Sequence, residues 1–128
     1  MVKAQFSYTG IGVRDLDRSV KFYTEHLGIK FIGRYKIKET NGETAELKSD
    51  GSDQMLELNW YSDRTEYKNG DEVDHLAFEV EDVDSVLVEL RAQGFEVAME
   101  PFDEGRSRLA FIKDPDGIWI ELQSPRKN

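Results

Sequence analysis

The chain has 128 residues, no cysteine and a formal net charge of -9. That length can bury one respectable core but not two full-sized independent domains. The acidic balance argues against nucleic acid or an anionic membrane as partner, because phosphates demand a basic face, and the lack of cysteine excludes thiolate metal sites, disulfides and cysteine nucleophiles.

Residues 1–6 carry no apolar signal-like run, and no apolar stretch approaches membrane-spanning length, so a cytoplasmic soluble protein is expected. Residues 5–13 alternate as a strand, with Ile11 and Val13 on one face and Tyr8, Gly10 and Gly12 on the other. Asp15 or Asp17 then caps a helix in which Val20, Tyr23 and Leu27 recur at helical spacing, and Gly28 stops it. Strands follow at 29–38, 43–48 and 55–61, with turns at Asn41-Gly42 and Asp50-Gly51.

Residues 62–73 are polar and without period, which marks a linker. The second half then repeats the first. A strand at 74–81 leads to a helix carrying Val83, Val86, Leu87 and Leu90 on one stripe and stopped by Gly94. Strands at 95–99, 107–113 and 118–123 complete it, with a loop at 99–105 and a tight Asp114-Pro115-Asp116-Gly117 turn. The expected fold is α+β: two βαβββ modules forming a curved mixed sheet within one domain over 1–128. Module 1 covers about 1–62, the linker about 63–72 and module 2 about 73–128.

Alternation assigns the faces. Leu56 and Leu58 flank Glu57, Ile120 and Leu122 flank Glu121, and Leu76, Phe78 and Val80 leave His75 opposite the helix. Tyr8 and His75 are 67 residues apart, and Glu57 and Glu121 are 64 apart, so the four occupy corresponding places in the repeat. Each should project from the face that no helix covers. One imidazole and two carboxylates, with a phenol beside them, suit a nickel, zinc, cobalt or manganese ion. Trp119 and Met55 each lie two residues before a glutamate and should wall a small-molecule cleft, although burial in a dimer interface explains them equally well. Two modules with open sheet edges favour a homodimer.

Asp15-Leu16-Asp17-Arg18-Ser19-Val20-Lys21-Phe22-Tyr23-Thr24-Glu25-His26-Leu27-Gly28 resembles the first helix of glyoxalase I and its relatives. Asp114-Pro115-Asp116-Gly117-Ile118-Trp119-Ile120-Glu121-Leu122 resembles their closing hairpin. Over nearly its whole length the chain resembles the vicinal oxygen chelate superfamily. The resemblance implies a metal-dependent lyase or isomerase acting on a 2-oxoaldehyde thiol adduct, through an enediolate that a divalent metal ion would stabilise. It places metal ligands at Glu57, His75 and Glu121, and puts Tyr8 where a histidine is usual. Glu57 and Glu121 become the catalytic carboxylates, with Glu121 favoured as base.

A thiol cosubstrate is implied, and its identity is open. The arginine common four residues after the first ligand is here Gly12, and the 100–106 loop carries Asp103 and Glu104. Arg106 and Arg108 lie close by as candidate substrate-binding residues, and Trp60 or Tyr61 stands where it could cover a substrate. Two rival readings share the scaffold: a thioester epimerase, and a non-catalytic small-molecule binding or resistance protein. An extradiol dioxygenase fits less well, because its iron wants two histidines and His26 sits in the last turn of the first helix.

Overall fold

A computed structural model describes residues 1–70 and 72–128, which form two compact units, 1–67 and 68–128. Residue 71, in the expected linker, lies outside the described residues. The first unit runs β1 (Thr9–Gly12), α1 (Leu16–Lys21), β2 (Lys30–Ile37), β3 (Gly42–Lys48) and β4 (Met55–Tyr61). The second runs β5 (Leu76–Glu79), α2 (Val83–Ala92), β6 (Val97–Glu104), β7 (Ser107–Lys113) and β8 (Trp119–Pro125). The βαβββ order is thus present twice.

Each unit holds one four-stranded mixed sheet, ordered β1-β4-β3-β2 in the first and β5-β8-β7-β6 in the second. The first and last strands of each unit pair in parallel, and the remaining pairs are antiparallel. One sheet face is covered in each case: α1 packs on β3 and β4, and α2 on β6, β7 and β8. Leu47 and Leu58 are fully buried in the first unit, and Ile112, Ile120 and Leu122 in the second. Their burial supplies the main favourable term for each unit.

The helices begin alike. Asp15 accepts a hydrogen bond from the Arg18 amide at 3.1 Å, and Asp82 accepts one from the Asp84 amide at 3.1 Å, which satisfies donors that each first turn leaves open. Asp17 and Asp84, in those first turns, are both seized by an arginine from the sheet. Arg34 of β2 bridges Asp17 and Glu43, while Arg108 of β7 grips Asp84 through Nε at 2.6 Å and Nη2 at 3.0 Å. Arg108 also reaches Asp103 of β6 at 3.2 Å. The Arg108 guanidinium holds the Asp84 carboxyl below the usual carboxylate range.

Three details depart from the sequence pattern. The α1 helix passes into a π-helical turn at Phe22–His26, closed by the Leu27 amide on the Phe22 carbonyl at 3.2 Å. The wider turn brings Phe22 and Tyr23 together into the core and leaves Val20 and Leu27 only partly buried. The expected loop at 99–105 is largely strand, because β6 extends to Glu104 with register shifts along its pairing to β7. Both first strands are shorter than the alternation suggested, so Tyr8 and His75 lie just outside them. Among the described residues no helix is long and apolar enough to cross a membrane.

Leu58 is fully buried, so Leu58→Ala should lower stability by about 2–5 kcal/mol in urea unfolding. A second expectation concerns pH. The folded Asp84 carboxyl is depressed, so its pairing stabilises the fold above the ordinary carboxylate range, and that contribution is lost as pH falls through the folded value. The stability gap between the wild type and Arg108→Met should hold steady near neutral pH and close in acid.

Candidate functional site

In the first unit β4 sends Leu56 and Leu58 towards α1, which turns Glu57, Asn59 and Tyr61 to the uncovered face. Gly10 of β1 pairs with Glu57 and Gly12 with Asn59, so neither strand neighbour crowds that face with a side chain. Tyr8 stands just before β1 and is 48% exposed. Asn59 is held by the buried Thr44, whose hydroxyl donates to its Oδ1 at 2.8 Å.

Across the sheet, Glu46 of β3 lies directly opposite Glu57. Two carboxylates facing each other in this way repel. Tyr35 of β2 answers one of them: its hydroxyl hydrogen-bonds Glu46, and this raises the Tyr35 pKa. Desolvation and the fields of Glu46, Glu57 and Tyr8 push it further in the same direction. Tyr8, Tyr35, Glu46 and Glu57 therefore make an oxygen-rich cluster on one sheet face.

In the second unit Ile120 and Leu122 are buried, and Glu121 takes the opposite face with its side chain only 15% exposed. It lies between Ala77 of β5 and Phe111 of β7. The turn that feeds β8 is tied by one side chain. Asp114 Oδ1 accepts from the amides of Asp116 at 2.9 Å and Ile118 at 2.8 Å, and Gly117 supplies the φ of 87° that the turn requires.

His75 meets Glu121 on this face, with Nε2 at 3.7 Å from Oε1. Its Nδ1 lies 2.7 Å from the Asp74 carboxylate. A carboxylate only accepts, so Nδ1 carries a proton towards Asp74, and Nε2 is the nitrogen turned towards Glu121. The ring is steadied edge-on by Phe111 at 5.6 Å between centroids, and Phe111 in turn touches Trp119 at 5.6 Å.

Nε2 and Oε1 are suitably spaced for two positions around one cation, since an ion roughly 2.0–2.2 Å from each can span them. An outer carboxylate on the far nitrogen is the arrangement that fixes a ligating imidazole. Among the described residues no three His, Asp or Glu side chains gather into a group that could hold a metal ion. The donors present are the His75–Glu121 pair in the second unit and the Glu57 cluster in the first.

Not every residue singled out from sequence reaches these faces. Met55 and Trp119 share the parity of Glu57 and Glu121, and Trp119 is partly exposed beside Phe111. Trp60 instead falls on the α1 side, and Tyr61 takes the Glu57 face. Arg108 is engaged by Asp84 of α2, on the helix side of its sheet, and is not brought together with Glu121. Arg106 sits in the exposed turn between β6 and β7. Sequence reasoning passed over Asp74, Phe111, Tyr35 and Glu46. Asp74 immediately precedes His75, and alternation along β3 and β7 marks Glu46 and Phe111.

Residues 5–122 match the family described as Glyoxalase/Bleomycin resistance protein/Dioxygenase superfamily. The chain is 35% identical to the probable lactoylglutathione lyase of Vibrio parahaemolyticus, covering 95% of this chain and 91% of that protein. It is 34% identical to glyoxalase I of Saccharomyces cerevisiae, covering 91% of this chain but only 43% of the yeast protein. Among solved structures, the trypanothione-dependent glyoxalase I of Leishmania major superposes with a TM-score of 0.82 at 34% identity, covering 95% of this chain and 87% of that one. The repeated βαβββ order is thus that of a known lineage, and this chain belongs to the Glyoxalase/Bleomycin resistance protein/Dioxygenase superfamily.

Proposed function

We propose that this chain is a glyoxalase I-like lyase of the lactoylglutathione lyase type, which converts the hemithioacetal of a 2-oxoaldehyde and a thiol into a 2-hydroxy thioester. The observation that carries the reading is the His75–Glu121 pair. An imidazole with Nε2 turned inward, held from behind by Asp74 on Nδ1, faces a largely buried carboxylate in a chain of this family. His75 and Glu121 would hold a divalent ion of the nickel, zinc, cobalt or manganese group. Glu57 joins the set on the strength of the internal repeat rather than of any distance. Tyr8 is the fourth member, and a neutral phenol is a poor ligand that can still hydrogen-bond a bound water.

When bound, the ion supplies Lewis acidity that favours negative charge on adjacent substrate oxygens. The chain does the rest. Substrate and product are isomers, so one proton must leave the carbon bearing sulfur and return to its neighbour, with no net oxidation. Glu121 is the proposed carrier of that proton and Glu57 the second carboxylate. Phe111, the cross-strand partner of Glu121, would limit water at that carboxylate. A cytoplasmic location and a homodimeric state belong to the same proposal, the latter supported by the edge strands that each sheet leaves unpaired within its unit.

Metal content by plasma mass spectrometry should be near-stoichiometric in the wild type and lost in His75→Ala. Glu121→Gln should keep its circular dichroism spectrum and lose turnover of the methylglyoxal–glutathione adduct by about 10²–10⁴-fold. Unchanged turnover in that variant sinks the assignment of the base. A wild type that takes up no metal after soaking, yet still binds thiol conjugates, would favour the binding-protein alternative that Tyr8 raises. Turnover of a 2-substituted acyl thioester in place of the hemithioacetal would favour the epimerase.

A further inference from the structure

In a chain of net charge -9 four arginines are gripped by acids. Arg34 pairs with Asp17 and Glu43, Arg91 with Glu100, Arg108 with Asp84 and Asp103, and Arg126 with Asp103. Arg64 is different. Among the described residues its guanidinium has no carboxylate partner, although Asp63 and Glu66 are close in sequence. It lies instead over two rings, 4.5 Å from the centroid of Tyr61 and 5.7 Å from that of Tyr67.

The mount is firm. The Arg64 amide closes a turn onto the Tyr61 carbonyl at 3.2 Å. The Tyr67 hydroxyl donates to the Val13 carbonyl at 2.9 Å, which pins that ring to the end of β1. A second cation gathers here: the Arg14 guanidinium lies 4.9 Å from the Tyr67 centroid and donates to the Tyr67 carbonyl at 3.2 Å.

Gly12 makes the room. Arg64 Nη1 stands 3.0 Å from the point that a Cβ at residue 12 would occupy, so a branched side chain there would displace it. Gly12 and Tyr61 share the uncovered face with Glu57, and Gly12 lies two residues along β1 from Gly10, the partner of Glu57. That offset is about 7 Å along the strand. A guanidinium stacked on an aromatic ring uses its face and keeps its N–H edge for a bidentate acceptor.

We propose that Arg64 is the anchor for a carboxylate of the thiol conjugate, holding the substrate by an end remote from the reacting carbons. The inference rests on the lyase reading for the identity of the substrate, and its geometry is independent of any metal. It assigns this chain a thiol that carries a carboxylate, not a neutral one.

The test is calorimetric binding of S-methylglutathione, a stable thioether, and of its diethyl ester. Wild type should bind the diacid at least about tenfold more tightly than the ester, the scale of one charge-assisted hydrogen bond. Arg64→Ala should erase that preference and leave ester affinity unchanged, while Arg64→Lys should restore part of it. Gly12→Val keeps the charge but evicts the guanidinium, and should mimic Arg64→Ala while retaining the wild-type circular dichroism spectrum. Undiminished diacid binding in Arg64→Ala, equal losses for diacid and ester, or no wild-type binding of the diacid would each overturn the anchor. An Arg64-dependent preference in a protein that never turns over the hemithioacetal would keep the anchor and defeat the lyase reading.

Discussion

Burial of Leu56 and Leu58 beneath α1, and of Ile120 and Leu122 beneath α2, decides which way Glu57 and Glu121 face. A strand has only two sides, so committing two leucines or an isoleucine–leucine pair to a core turns the residue between them outward. A slip of one residue in either strand would bury a carboxylate and expose the core. Desolvating an unpaired carboxylate is costly enough to make the register self-policing. The chemistry of the site is therefore a by-product of packing on the other face of the same sheet.

This constraint explains what could be read from the sequence. The alternation around Glu57 and Glu121, the helix cap at Asp15 (one of two candidates) and the Asp-Pro-Asp-Gly turn are local or period-two signals, and each stands where the pattern put it. Long-range partners were not legible. Nothing in the sequence near Arg108 says that Asp84, on the helix that precedes β6, will take its guanidinium. Trp60 shows the same limit on a smaller scale: its aromatic character drew attention, while its parity placed it on the α1 side and gave the open face to Tyr61. The π-helical turn was invisible because its phase shift depends on how Phe22 and Tyr23 fit the core.

The two units keep the same skeleton and have diverged in what they display. The acidic first-turn residues Asp17 and Asp84 both clamp an arginine from their own sheet, so the helix-to-sheet fastening is common to both. On the open faces the likeness ends. The first unit offers oxygen donors and tyrosines, and the second an imidazole braced by aromatic rings. The same skeleton thus carries two faces that differ in donor type.

The opposition of Glu46 and Glu57 has a further meaning in the language of energy landscapes. It is a locally frustrated contact: the register that satisfies the core brings two negative charges together on the open face, and the fold tolerates the repulsion. Such a pair biases the protein towards any arrangement that brings positive charge to this face. Neutralising Glu46 would be the easy route to a more robust protein and would remove the same bias, so stability and readiness for a cation pull in opposite directions at this position.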